Sequence, residues 1–167
     1  HPDDVEFGCG GTLIKMIAEG KKVAIIDLTQ GELGTRGTEF TRAEESANAA
    51  EIMGVVAREN MKMKDGFLVN SEEYQMRIVK MIRKYRPEIV FCNAIEDRHP
   101  DHAKGSKLVS DACFLSGLIK IETQHEGSIQ QAWRPKQVFH YIQWKNIQPD
   151  FVVDISDFQD KKIEVCK

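Results

Sequence analysis

Apolar, β-branched runs alternate with amphipathic stretches of helical period along this chain. That alternation predicts an α/β layered fold, a mainly parallel sheet flanked by helices. Two observations sharpen the reading. The runs 22–28 (KVAIIDL) and 88–93 (EIVFCN) are nearly continuously apolar, as strands covered on both faces are. The polar loops rich in glycine or histidine follow such runs directly, where open α/β sheets hold their ligand crevice. With 167 residues, no internal repeat and no linker, a single Rossmann-like domain over 1–167 is expected. The chain opens on His1 with no strand before it and stops as a helical stretch begins. A first strand and a C-terminal part are therefore expected to lie outside it.

In order, residues 10–18 read as a helix with Leu13, Ile14 and Ile17 on one face and Gly20 as its C-cap. The strand 22–28 leads into a loop, 29–38 (TQGELGTRGT), punctuated by Gly31, Gly34 and Gly37. Thr41 and Glu44 have capping-box spacing for the next helix, which Gly54 closes. A short strand is expected within 55–60. The helix 71–85, capped by Asn70 or Ser71, carries Met76, Val79 and Ile82 on its apolar face and ends before Pro87. The strand 88–93, the loop 94–101 and a helix over 102–118 follow. Two further strands are expected at 138–142 and 151–155.

The composition is 41% hydrophobic and 29% charged, with a net charge of −3, so neither a polybasic nucleic-acid surface nor a membrane anchor is indicated. No apolar run is long enough to span a bilayer. Four scattered cysteines without a C-x-x-C pair fit reduced thiols in a cytoplasm. Cys92 and Cys113 read as small core residues, and Cys9 as packing rather than a nucleophile. His140 reads as a partly buried structural residue.

The chemistry is concentrated in two motifs. The first is His1-Pro2-Asp3-Asp4, followed by the glycines Gly8, Gly10 and Gly11. Adjacent carboxylates repel unless a cation joins them. The second is His99-Pro100-Asp101-His102, in the loop after EIVFCN. Catalytic zinc takes three protein ligands, often two near in sequence and one remote. His1 and Asp4 are the near pair and His102 the remote third. Asp3 is then placed as general base, and His99 to stabilise an oxyanion or protonate a departing amine. Asp101 is expected to hydrogen-bond the His99 ring and keep it cationic. These are the parts of a metal-assisted amide hydrolysis. The glycines lack P-loop spacing and are expected to form a turn that brings backbone close to a ligand. A phosphoesterase would call for more carboxylates, and a metal- or sugar-binding module without turnover for the loss of Asp3 or His99.

H-P-D-D-V-E-x-G-C-G-G-T with a later H-P-D-H resembles the LmbE/PIG-L family of zinc-dependent N-acetylglucosamine deacetylases. The stretches G-E-L-G-T-R-G-T, T-R-A-E-E-x-x-x-A-A, R-H-P-D-H-x-K-G-S and P-K-Q-V-F-H-Y, with P-D-F-V-V-D-I-S, are similar to its bacillithiol-biosynthesis branch. That branch deacetylates N-acetylglucosaminyl-malate. The resemblance implies one zinc ion, with Fe2+ as an alternative, on His1, Asp4 and His102. It implies Asp3 as base, His99 as the group stabilising the tetrahedral intermediate, and Asp101 as its support. It also implies Arg42 facing the substrate, Asp65 on sugar hydroxyls, an acetamido-sugar substrate, and a homo-oligomer. Arg36 and Arg98 suit the malate carboxylates, since the arginine fork matches such groups. Mycothiol-type relatives carry a tyrosine where this chain has Asp97, so any role of that tyrosine does not transfer.

Overall fold

The computed structural model describes residues 1–167. Its elements in chain order are α1 (Asp4–Gly8), α2 (Gly10–Ala18), β1 (Ala24–Thr29), α3 (Glu39–Met53) and β2 (Ala57–Met63). Then come α4 (Glu72–Tyr85), β3 (Ile89–Cys92), α5 (Pro100–Leu115), the two-residue strands β4 (Gln124–His125) and β5 (Ser128–Ile129), and β6 (Gln137–His140). A 3-10 turn (Ser156–Phe158) and α6 (Gln159–Val165) complete the chain. The fold is mixed α/β with parallel strand pairing flanked by helices, as the alternating pattern implied. The residues group into two compact units, His1–Gly66 with Ile142–Lys167, and Phe67–Tyr141. No helix is long and apolar enough to cross a membrane.

In the first unit β1 pairs with β2 in parallel register, from Ala24↔Ala57 to Asp27↔Asn60. The register slips before Thr29↔Met63. The Asn60 side chain fills this irregular step, donating to the Thr29 carbonyl at 2.6 Å and accepting from the Lys62 amide at 2.8 Å. Parallel pairing brings the carboxyl ends of both strands to one edge. The glycine loop after β1 and Asp65 after β2 therefore emerge side by side.

Three expectations are corrected here. Residues Asp4–Gly8 form a short helix inside the first motif, where only a turn was anticipated. Gly11 is needed for packing rather than for ligand approach: it is buried, and a Cβ there would collide with Ile155 Cδ1. Helix α3 starts at Glu39, because Thr38 is the cap. The Thr38 amide donates to Thr41 Oγ1 at 2.7 Å and the Thr41 amide to Thr38 Oγ1 at 3.2 Å, so the box closes between two threonines without Glu44. Gly54 ends the helix in the left-handed region (φ 81°), as foreseen.

The stretch 151–155 is not a strand. No neighbouring strand pairs with it, and Val152 is 82% exposed. Asp154 Oδ1 accepts from the Ser156 amide (2.9 Å) and hydroxyl (2.6 Å), which turns the chain into the 3-10 segment. An apolar run makes a strand only when it pairs, and this one does not.

In the second unit β3 pairs with β6 in parallel, Ile89↔Gln137 to Cys92↔His140. Helix α4 is capped by Ser71 and stops at Arg86 in the left-handed region (φ 50°), just before Pro87. Its buried face (Ile78, Val79, Ile82) belongs to the core that also holds Leu108, Ala112, Cys92 and Cys113. Arg83 is buried and donates to the carbonyls of Ser116, Leu118 and Ile121 and to Thr123 Oγ1, which fixes the chain beyond α5. The hairpin β4–β5, not anticipated from the pattern, turns through Glu126 and Gly127, both at positive φ. His140 ties β6 to the start of the second motif's loop, its Nδ1 lying 3.1 Å from the Asn93 carbonyl and 2.8 Å from Ser106 Oγ.

Candidate active site

The first motif sits on the first unit, and its side chains are oriented from three directions. His1 Nδ1 and Asp4 Oδ2 converge to 3.0 Å, near enough to meet at one cation. The other ring nitrogen, Nε2, lies 2.9 Å from Asp65 Oδ1. Asp65 is buried, and its Oδ2 accepts from the Leu33 amide at 3.0 Å, while its own amide donates to Glu32 Oε1 at 2.7 Å. One carboxylate thus couples the His1 ring to the glycine loop. On the opposite side Gln143 Nε2 donates to Asp4 Oδ1 at 2.8 Å.

Asp3 points outward, its side chain 54% exposed, with Arg42 Nη1 at 3.7 Å. Arg42 is held in a cradle of glycines. A Cβ on Gly34 would strike its guanidinium, and one on Gly31 would lie 3.2 Å from its Cδ and Nη1. Arg42 Nη2 also donates to the Arg36 carbonyl at 3.2 Å. The loop glycines are therefore the space in which this arginine lies. The Arg36 residue itself is exposed.

Beneath the motif lies a buried ionic hub that sequence reasoning missed. Arg58, on β2, donates to both oxygens of Asp27 (2.7 and 3.0 Å) and to Glu6 Oε1. It also donates to the Ser46 carbonyl (3.1 Å) and the Pro2 carbonyl (2.6 Å). Burial pushes the Glu6 carboxyl up, against the opposing pull of the Arg58 guanidinium. Burial likewise pushes the Cys9 thiol up to about 12, with the nearby Glu6 adding to it, consistent with packing rather than nucleophilic chemistry.

The second motif sits on the second unit, at the N-terminus of α5. His99 is the helix N-cap and Pro100 opens the first turn, two residues before the expected start. The Asp101 amide donates to His99 Nδ1 at 3.2 Å, so the lone pair is on Nδ1 and the ring's N–H is on Nε2. The link between Asp101 and His99 thus runs through the backbone N–H, and Asp101 Oδ1 accepts from the Leu68 amide at 3.2 Å. His102 stacks on His99 with ring centroids 4.9 Å apart. Asp97, its side chain almost fully buried, places Oδ1 3.4 Å from His102 Nδ1, a long contact, and accepts from the His99 amide at 3.1 Å. Arg98 is exposed.

A carboxylate thus lies beside one ring nitrogen of each candidate ligand histidine, but only Asp65 is hydrogen-bonded there, to His1 Nε2; Asp97 stands 3.4 Å from His102 Nδ1, outside hydrogen-bonding geometry. Metal-binding histidines are oriented in this way, and the donor set of two imidazoles and one carboxylate suits zinc or another borderline cation. Asp97 was visible only as a departure from a tyrosine, and its proximity to His102 depends on how the loop bends. Asp65 was marked by the resemblance, as a contact to sugar hydroxyls rather than to His1, and Gln143 gave no signal.

The fold is α/β, and its two histidine–carboxylate motifs lie ahead of the first strand and directly after β3. The chain belongs to the PIG-L family (GlcNAc-PI de-N-acetylase), whose profile matches residues 1–113. It is 30% identical to the diacetylchitobiose deacetylase of Thermococcus kodakarensis over 181 aligned positions covering all of this chain. It spans 65% of that relative's length. Among solved structures, the conserved protein TT1542 from Thermus thermophilus superposes with a TM-score of 0.92 at 38% identity. That match covers 99% of this chain and 73% of the other. The N,N'-diacetylchitobiose deacetylase of Pyrococcus horikoshii, in complex with its inhibitor, shares the fold at a TM-score of 0.85 and 24% identity, covering 99% of this chain and 65% of the other.

Proposed function

We propose that this protein is a metal-dependent hydrolase that removes the N-acetyl group from an acetamido sugar. The observation that carries the reading is the His1 ring held between two carboxylates, Asp4 at 3.0 Å from Nδ1 and Asp65 at 2.9 Å from Nε2. The family assignment and the deacetylase relative support the same chemistry. His1, Asp4 and His102 would hold the ion, zinc by donor type, with Fe2+ the alternative. When bound, the metal supplies Lewis acidity to the acetamide carbonyl and to the attacking water.

The chain's own residues do the rest. Asp3, exposed and unburdened by the ligand role of Asp4, takes the proton of the attacking water and passes it toward the leaving amine. Arg42, fixed by Gly31 and Gly34, keeps a positive charge beside Asp3 and toward the substrate. His99, with its N–H on Nε2, donates to the oxygen on which negative charge develops, a role that needs no cationic ring. Asp101 supports it through the backbone bond to Nδ1. Asp65, with both oxygens engaged within the protein, is better suited to orienting His1 than to binding sugar hydroxyls.

For the substrate, the stretches shared with the bacillithiol branch favour N-acetylglucosaminyl-malate, with the exposed Arg36 and Arg98 offering forks to its carboxylates. The test is acetate release by the full-length, metal-loaded protein from the malate conjugate, diacetylchitobiose and plain N-acetylglucosamine. Asp3→Asn is expected to keep the metal and lose roughly 10²–10⁴-fold in kcat. Near-parental turnover would overturn the assignment of Asp3. If Arg36→Ala and Arg98→Ala hydrolyse the malate conjugate and plain sugar in an unchanged ratio, the malate reading fails.

A further inference from the structure

We propose that Arg58 is a positioning residue for the His1–Asp4 segment, holding the Pro2 carbonyl so that the Asp3 and Asp4 carboxylates keep a fixed direction. This deepens the reading of Asp3 as base and Asp4 as ligand, and rests on it.

The segment cannot hold itself. Helix α1 has only five residues, far below the length at which a helix is stable alone. At its N-terminal end, where the two aspartates sit, Asp4 N–H to the His1 carbonyl and Phe7 N–H to the Asp3 carbonyl are both long at 3.3 Å, whereas Cys9 N–H to the Val5 carbonyl at the other end is 2.9 Å. Proline has no N–H, so the carbonyl is the only backbone handle at position 2. Arg58 Nη2 takes that handle at 2.6 Å, and Nη1 takes Glu6 Oε1 on the far side of the two aspartates. The guanidinium thereby spans the turn that presents Asp3 and Asp4.

The anchor is itself immobilised. All five guanidinium N–H groups have acceptors, drawn from Pro2, Glu6, Asp27 and Ser46, and the side chain is 8% exposed. Asp27 lies on β1, and its fork-to-fork pair with Arg58 fixes the plane of the guanidinium against the two strands. A lysine here would keep the charge but present its three N–H bonds from one point, so it cannot reach acceptors on four segments.

The test compares Arg58→Lys with Arg83→Lys in the full-length protein. Arg83 is the equally buried arginine of the second unit, which holds only structural carbonyls and a threonine. Both variants are expected to melt earlier than the parent. Only Arg58→Lys is expected to speed amide exchange at Asp4 and Phe7 about tenfold. It should also weaken zinc affinity by about 10–100-fold and lower kcat at least tenfold with KM within threefold. Exchange at Asp4 and Phe7 within threefold of the parent, or an equal effect of Arg83→Lys, would overturn the proposal. If Arg58→Lys does not fold, the charge-neutral pair Asp27→Asn with Arg58→Gln takes its place. Failure of that variant to melt cooperatively makes Arg58 architectural and also ends the proposal. The exchange measurement needs neither metal nor substrate. A parent protein that binds no zinc and releases no acetate would therefore sink the functional reading while still deciding the role of Arg58.

Discussion

Replacing Asp65 by asparagine separates two roles that a carboxylate in this position can have. Asp65 is 5% exposed, and its two oxygens accept from different donors: His1 Nε2 at 2.9 Å and the Leu33 amide at 3.0 Å. Asparagine offers one oxygen and one NH2, so one of these donors must face another donor. A buried donor left unmatched costs about 1–3 kcal/mol. The His1 ring can escape that cost by moving its proton to Nδ1 and accepting from the new amide through Nε2. The escape places a proton on Nδ1, which can donate to Asp4 Oδ2 at 3.0 Å but leaves no lone pair there for a metal. The variant therefore loses either stability or metal affinity.

The expected loss of zinc affinity is about 10–100-fold, the range found for carboxylates behind ligating histidines. At about 1.4 kcal/mol per tenfold, that is roughly 1.4–2.7 kcal/mol. Competition with a chromophoric chelator measures the affinity, and melting in excess chelator measures the stability of the metal-free protein. A contact to sugar hydroxyls would instead raise KM and leave zinc affinity alone. If Asp65→Asn binds zinc within threefold of the parent, the orienting role is refuted.

Gly34→Ala tests the arginine cradle. The added methyl must push the Arg42 guanidinium away from Asp3, and no positive φ makes alanine costly at this exposed loop position. The melting temperature should stay or rise slightly, as for a Gly→Ala change worth roughly 0.4–1 kcal/mol, while kcat/KM falls at least about tenfold. Unchanged kcat/KM would remove Arg42 from the catalytic arrangement. Cys9 gives a pH prediction. Its thiol is pushed up to about 12 in the fold from an ordinary 9.0, so folding favours the neutral form. That stability is fully present below pH 9 and is lost as pH rises toward 12. The loss is roughly 1 kcal/mol at pH 10 and roughly 3 kcal/mol at pH 11. Denaturant titrations should show Cys9→Ala approaching the parent by these amounts between pH 8 and 11, and a pH-independent difference would contradict the shift.

The two motifs were legible because each is contiguous: HPDD and HPDH place several candidate donors within four residues, and strand runs and cap residues locate them. The supporting side chains were not legible, since they act across long sequence separations. Asp65 reaches His1 across 64 positions, and Gln143 reaches Asp4 across 139. Nothing near Gln143 distinguishes it from a solvated polar side chain, and the resemblance that marked Asp65 pointed it at sugar hydroxyls rather than at His1. The stretch 151–155 failed for the converse reason: a good local strand pattern pairs with no strand and turns into the 3-10 segment through Asp154 instead.

The Arg58 hub lies between these cases, and it had a signal that periodicity alone does not use. Asp27 interrupts an otherwise apolar run, KVAIIDL, whose continuity implies burial on both faces. A carboxylate so placed is costly unless a cation faces it. The adjoining strand offers Arg58 at register Ile25↔Arg58, two positions from the Asp27 pairing with Asn60. Reading each strand alone makes Asp27 a curiosity and Arg58 a solvent-facing residue. Pairing the strands by charge makes each explain the other, and the same guanidinium then has N–H groups to spare for Glu6 and Pro2. The cost of burying one aspartate in β1 thus accounts for an arginine under the first motif, and through the Pro2 carbonyl it bears on how steadily Asp3 and Asp4 are presented.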